Sequence, residues 1–173
     1  MLKDLGRARR GSTELEPIGG GRDFPRDGAA RRALVARIAA GRLSAERAET
    51  LLDRYGTRAL AVAEWCAVRQ DQPLSTLPAY TRAEIGFLLE NELVGRLTDL
   101  AFRRTDIALS GRLTPAVANE LAEVAAAALG WDGERRAAER AGLARTAATR
   151  HGLGHAFSNG NTRQDEPTIH AAE

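Results

Sequence analysis

The chain has 173 residues and a formal net charge of +2, is rich in alanine and arginine, and has aromatics at only 5%. That length suffices for a hydrophobic core and the composition favours helix, while basic residues interspersed with acids exclude the continuous basic strip a dedicated nucleic-acid binder needs. Cys66 is the only cysteine, which excludes an internal disulfide and a four-cysteine metal site, and no segment approaches the roughly 20 apolar residues that span a bilayer.

Residues 1–23 are polar, with Arg7, Arg9 and Arg10 followed by no apolar run, and then Gly19, Gly20 and Gly21 in a row. They read as a Gly-rich linker or arm rather than a packed element, and not as a signal peptide. A helical domain is expected over 24–151. Its first helix runs from Gly28 to Ala40, with Ala30, Leu34 and Ile38 inward and Gly41 as C-cap. Ser44 can cap a second helix that turns Ala48, Leu51 and Leu52 inward and stops near Tyr55-Gly56. Thr57 begins a third, with Leu60, Ala63 and Ala67 on one face and Trp65 partly covered. The two prolines of residues 70–80 make that segment an ordered connection.

Thr81 and Glu84 form a T-x-x-E capping box, and Ile85, Leu88, Leu89 and Leu93 follow at helical spacing as a buried stripe. A further helix is expected from Leu97 to Ala108. Thr114-Pro115 is an N-cap and first-turn pair ahead of the stripe Val117, Leu121, Val124 and Ala128. Gly130 breaks that helix, and Asp132 starts a last one running to about His151. Trp131, next to the helix-breaking glycine, is expected as a core anchor between two helices. Residues 152–173 carry no stripe and are expected to be a disordered tail. The fold class is therefore all-α, a compact bundle of six or seven short helices with a flexible arm and tail.

Glu84, Glu92, Asp99, Arg103, Arg104 and Thr105 are the polar residues left over in the stretch Tyr80–Leu109, and they are the candidate site. The local reading pairs Asp99 with Arg103 at i,i+4. A second reading has Arg103 or Arg104 grip a phosphate bidentately. In a third, the group is a polar network that braces the helix pair and docks it on another domain. Catalytic, cofactor and metal assignments are none. Gly19–Gly21 lack the preceding apolar strand that a dinucleotide cradle requires. His151 and His155 are separated by Gly152 and Gly154 and have no completing ligand in register. Cys66 lies among apolar helix residues and reads as core.

The same stretch, YTRAEIGFLLENELVGRLTDLAFRRTDIAL, resembles the C-terminal helical domain of FAD-dependent glycerol-3-phosphate dehydrogenases. That domain has a Y-T-x-x-E-h-x-(F/Y) opening, an Asn-Glu pair and a D-(L/V)-h-x-R-R-T segment. PIGGGRDFP (Pro17–Pro25) is similar to the Gly-rich connector of that family, LLDRYGT (Leu51–Thr57) to its R-Y-G-T segment, and LGWD (Leu129–Asp132) with Arg135 and Glu139 to its closing G-W-D-x-x-R-x-x-E helix. Glu90 departs from the family pattern, which has a basic or neutral residue there. The resemblance implies that the complete enzyme oxidises sn-glycerol 3-phosphate to dihydroxyacetone phosphate. FAD and the substrate then sit in a large N-terminal flavin domain, so this chain has no cofactor of its own and is not catalytic alone. It favours bracing or docking on that domain, in cis or in trans, over a phosphate site. The implied location is cytoplasmic, or peripheral at the inner membrane within a complete enzyme. The alternatives are a freestanding helical protein-interaction module and, behind it, a helix-turn-helix nucleic-acid binder.

Overall fold

A computed structural model of the chain describes Glu16, residues 18–40, 42–154 and Phe157. Among the described residues there are seven α-helices and no strand, with one isolated antiparallel bridge between Pro73 and Thr81. The architecture is all-α. The stretch expected as one domain, 24–151, falls into two compact units, one ending at Val68 and the other starting at Arg69. No helix of the described residues is long and apolar enough to cross a membrane. Residues 1–15, Pro17, Gly41, His155 and most of the expected tail lie outside the described residues.

In the first unit, α1 (Gly28–Ala39) starts where Asp27 accepts a hydrogen bond from the Ala30 amide at 2.8 Å. α2 (Ala45–Tyr55) starts where Ser44 accepts from the Arg47 amide at 3.1 Å. A 3-10 turn, Gly56–Arg58, leads into α3 (Ala59–Ala67). The core is Leu34, Val35 and Ile38 of α1, Ala48, Leu51 and Leu52 of α2, and Ala59, Val62, Ala63 and Cys66 of α3. Val35 thus replaces the expected Ala30, which is exposed. In α3 the buried face is rotated from the expected one, because the 3-10 turn delays the helix until Ala59. Arg31 on α1 bonds Asp53 on α2 at 2.6 Å.

The second unit begins with an irregular connection stitched to itself by Leu74 N–H to Tyr80 O and Arg82 N–H to Gln72 O, both 2.8 Å. Then come α4 (Arg82–Asn91), the single turn α5 (Leu97–Asp99) running into a π-helical turn (Leu100–Arg104), α6 (Pro115–Leu129) and α7 (Gly133–His151). α6 packs on both α4 and α7, and α5 packs on α7. Ile85, Leu88, Leu97, Leu100, Leu121 and Leu143 fill the centre, each contributing about 1.5–3 kcal/mol by leaving water.

The helix expected from Leu97 to Ala108 ends at Arg104. Thr105 turns extended and its hydroxyl donates to the Leu100 carbonyl at 2.8 Å, satisfying an acceptor that a continued helix would have used. The stripe of α4 also ends earlier than its spacing suggests. Ile85, Leu88 and Leu89 are buried, but Leu93 lies past the helix end, is 95% exposed and has φ +53°.

Candidate functional site

Each sequence-expected residue of the second unit has a definite place. Thr81 caps α4 by accepting from the Glu84 amide at 3.1 Å, and Glu84 is wholly buried in the first turn. Asp99 and Arg103 form the expected i,i+4 pair at 3.3 Å, with the arginine side chain 75% exposed. Arg104 turns elsewhere: its Nε donates to the Glu92 carbonyl at 2.9 Å and so clamps the end of α4 to the π-helical turn. Thr105 terminates that turn. Asp99 and Arg103 thus pair, Arg104 clamps through the Glu92 backbone and Thr105 ends the turn, with one guanidinium facing Asp99 and the other the Glu92 carbonyl.

Two buried carboxylates that the candidate set omits each gather several donors. Glu120, on α6, is 4% exposed. It accepts from Ser75 N–H at 2.9 Å, Thr76 N–H at 2.8 Å, the Thr76 hydroxyl at 2.7 Å and Arg82 Nη2 at 3.1 Å. Burial by itself would raise its pKa, but the Thr76 and Ser75 bonds and the Arg82 charge together hold it below the usual carboxylate value. Glu139, on α7, accepts from the Leu97 amide at 2.9 Å, pairs with Arg135 at 2.8 Å and has Arg96 at 3.8 Å. Its carboxylate thereby takes the role of a cap at the first amide of α5, which Arg96 itself does not cap. This gives the Arg135 and Glu139 of the closing-helix resemblance a physical task.

A third network ties the connection to the segment after the π turn. The Tyr80 hydroxyl donates to Asp106 at 2.7 Å, and Arg112 reaches the other Asp106 oxygen at 2.7 Å. Sequence spacing offered no signal for it. Glu120 did carry one: it falls between Val117 and Leu121 on the stripe of α6, so an acid was bound to face the interior.

Trp131 corrects its expectation. The ring is only partly buried, beneath the Arg135 guanidinium at 5.8 Å, because the chain has already turned out of α6 at Gly130. The ring of His151 stacks on Phe102 at 4.1 Å. Among the described residues no three His, Cys, Asp or Glu side chains gather as metal ligands. Cys66 is buried in the core of the first unit.

The glycine run corrects the arm reading for the residues described there. Ile18 to Asp23 form a turn, with Gly21 N–H on Ile18 O at 2.9 Å. The Gly20 carbonyl accepts from the Thr57 amide at 2.9 Å, and the Thr57 hydroxyl donates to Arg22 O at 2.9 Å. Gly20 (φ +82°) and Gly56 (φ +59°) touch backbone to backbone, so a Cβ on either would overlap the other strand of the clasp. The GGG and RYGT blocks are therefore two halves of one contact. Glycines that a dinucleotide cradle would turn toward phosphate face protein backbone here, and these residues do not fit FAD. A cleft of about 200 Å³ in the same unit, lined by Ile38, Leu43, Leu60 and Ala63 with Arg37, Arg42 and Glu64, is likewise too small for a dinucleotide.

Comparison with known proteins bears on both units. A family model, the C-terminal domain of alpha-glycerophosphate oxidase, matches residues 11–136, from before the glycine clasp into the first turn of α7. A search of curated protein sequences finds no match.

Proposed function

Because the chain belongs to the family of C-terminal domains of alpha-glycerophosphate oxidase, we propose that it serves as the helical accessory domain of an FAD-dependent enzyme that oxidises sn-glycerol 3-phosphate to dihydroxyacetone phosphate. Its partner in this reading is the flavin domain, in cis or in trans. Flavin and substrate would be held there, and the flavin would supply the electron acceptor. The present chain supplies rigidity and a docking surface and contributes no reacting group.

The family match over 11–136 carries this reading. The use of the charged side chains supports it. Glu120, Glu139 and Asp106 hold loops and a helix start within their own unit, as expected of a part whose shape is its contribution. Bracing or docking by Glu84, Glu92, Asp99, Arg103, Arg104 and Thr105 remains the favoured role over phosphate binding.

The test is spectroscopic and kinetic. Purified chain should show no flavin absorbance and no dye reduction with glycerol 3-phosphate. Added to the flavin domain of an enzyme of this family, it should raise that domain's dye reduction or thermal stability. Stoichiometric FAD in the purified chain, or no effect on the flavin domain, would overturn the proposal.

A further inference from the structure

The first unit keeps a cleft that its own side chains leave open. It lies between the C-terminal end of α1 and α3, holds about 200 Å³, and is bordered by small residues, Ala39 and Ala40 from one side and Ala63 and Ala67 from the other. Alanine side chains are too short to close such a gap between helices. The chain turns back at Ala40, the left-handed C-cap of α1 (φ +43°), and the Arg42 and Leu43 amides both bond the Ala39 carbonyl, at 2.8 and 3.1 Å. That turn returns Arg42 and Leu43 to the same cleft as Arg37 and Ile38.

The floor is apolar and the rim is charged. Ile38 and Ala63 are buried, while Leu43 and Leu60 are half-buried. Arg37, Arg42 and Glu64 also line the cleft, all three are exposed, and among the described residues none of them has an ion-pair partner. Arg31 of the same helix, by contrast, is engaged with Asp53. A ligand that suits this lining must meet each part of it. Two guanidiniums select a carboxylate, the single carboxylate selects an ammonium, and the aliphatic floor selects a hydrocarbon body. A simple anion would leave Glu64 unmatched, and a sugar phosphate would set its hydroxyls against an apolar floor.

We propose that this cleft binds a free amino acid with a branched aliphatic side chain, held at its carboxylate by Arg37 and Arg42 and at its ammonium by Glu64. The cleft belongs to the first unit alone, so the site stands or falls separately from the flavin-domain partnership. Its size agrees: at about 30 Å³ per water, 200 Å³ is room for on the order of six waters, which one such ligand would displace.

The experiment titrates the chain with L-leucine, followed by NMR, and with analogues that each lack one part. Isocaproate lacks the ammonium, isoamylamine lacks the carboxylate, and glycine lacks the side chain. L-leucine should bind with a Kd of about 1 mM or tighter and raise the melting temperature, and each analogue should bind at least about tenfold more weakly. Glu64→Gln and Arg42→Gln change the exposed rim, so they should keep the wild-type melting temperature and weaken L-leucine binding by about tenfold. Ala67→Leu should fill the cleft and remove binding.

No saturable binding at about 10 mM L-leucine would overturn the site. Isocaproate binding as tightly as L-leucine would make the cleft a plain anion site, and N-acetyl-leucine amide binding as tightly would make it a socket for a protein side chain. Either result overturns the proposal. So would folded Glu64→Gln and Arg42→Gln variants that keep the wild-type Kd.

Discussion

Substituting Glu120 by alanine removes the anchor that holds the turn at residues 74–76 to α6. The side chain is 5% exposed and receives two backbone amides, one hydroxyl and one guanidinium. A hydrogen bond to a charged group contributes about 1.5–3 kcal/mol, but four donors sharing one carboxylate do not add. The larger effect is what alanine leaves behind, two part-buried amides without their acceptor, and the expected loss is about 3–5 kcal/mol. At about 4–8 °C per kcal/mol for a small domain, the melting temperature of the second unit should drop by at least about 12 °C. Circular dichroism at neutral pH measures it. Glu120→Gln keeps the volume but turns an NH2 group toward donors, so it should recover little. A loss under about 1 kcal/mol for both variants would refute the reasoning.

The same carboxylate makes stability depend on pH in a definite direction. Its pKa is lower folded than the ordinary 4.5. The folded protein therefore holds its charge in acid where the unfolded chain has already taken up a proton. The stabilisation is complete above the unfolded pKa and is lost as pH falls through the depressed folded value. Wild type should lose stability below about pH 4.5, and Glu120→Ala should lack that part of the acid dependence.

The other predictions concern the remaining contacts. Gly56→Ala places a Cβ on the Gly20 carbonyl in a left-handed turn; it should destabilise the first unit by more than about 2 kcal/mol and speed tryptic cleavage at Arg22, both measurable on the purified chain. Arg103→Ala should cost under about 1 kcal/mol in urea unfolding, because the arginine side chain is itself 75% exposed and its pair with Asp99 is screened by water. Trp131→Ala should cost about 1–2 kcal/mol rather than the 3–5 of a buried indole, and a larger loss in thermal melts would mean that the ring is more enclosed than its partial exposure suggests.

The starts of α2, α4, α6 and α7 were legible in the sequence because their determinants are local. Ser44, Thr81, Thr114 and Asp132 each accept from an amide three residues on. The pairing of Asp99 with Arg103 was legible for the same reason. What spacing did not show depends on distant partners. Glu120 meets residues 38 to 45 positions away; Glu139 meets Leu97, and Gly20 meets Thr57. Leu93 kept helical register with Leu89, yet α4 had already ended at Asn91, and without a glycine there the stop left no mark. Periodicity assigned a face to a residue that no longer belonged to the helix.

The central claim is that this helical chain is the partner of a flavin domain. Analytical ultracentrifugation of the chain with the flavin domain of an enzyme of this family, followed at the flavin absorbance, tests it most directly. The account predicts that the flavin signal shifts to a one-to-one complex with the chain. A flavin domain that sediments identically with and without saturating chain would contradict it.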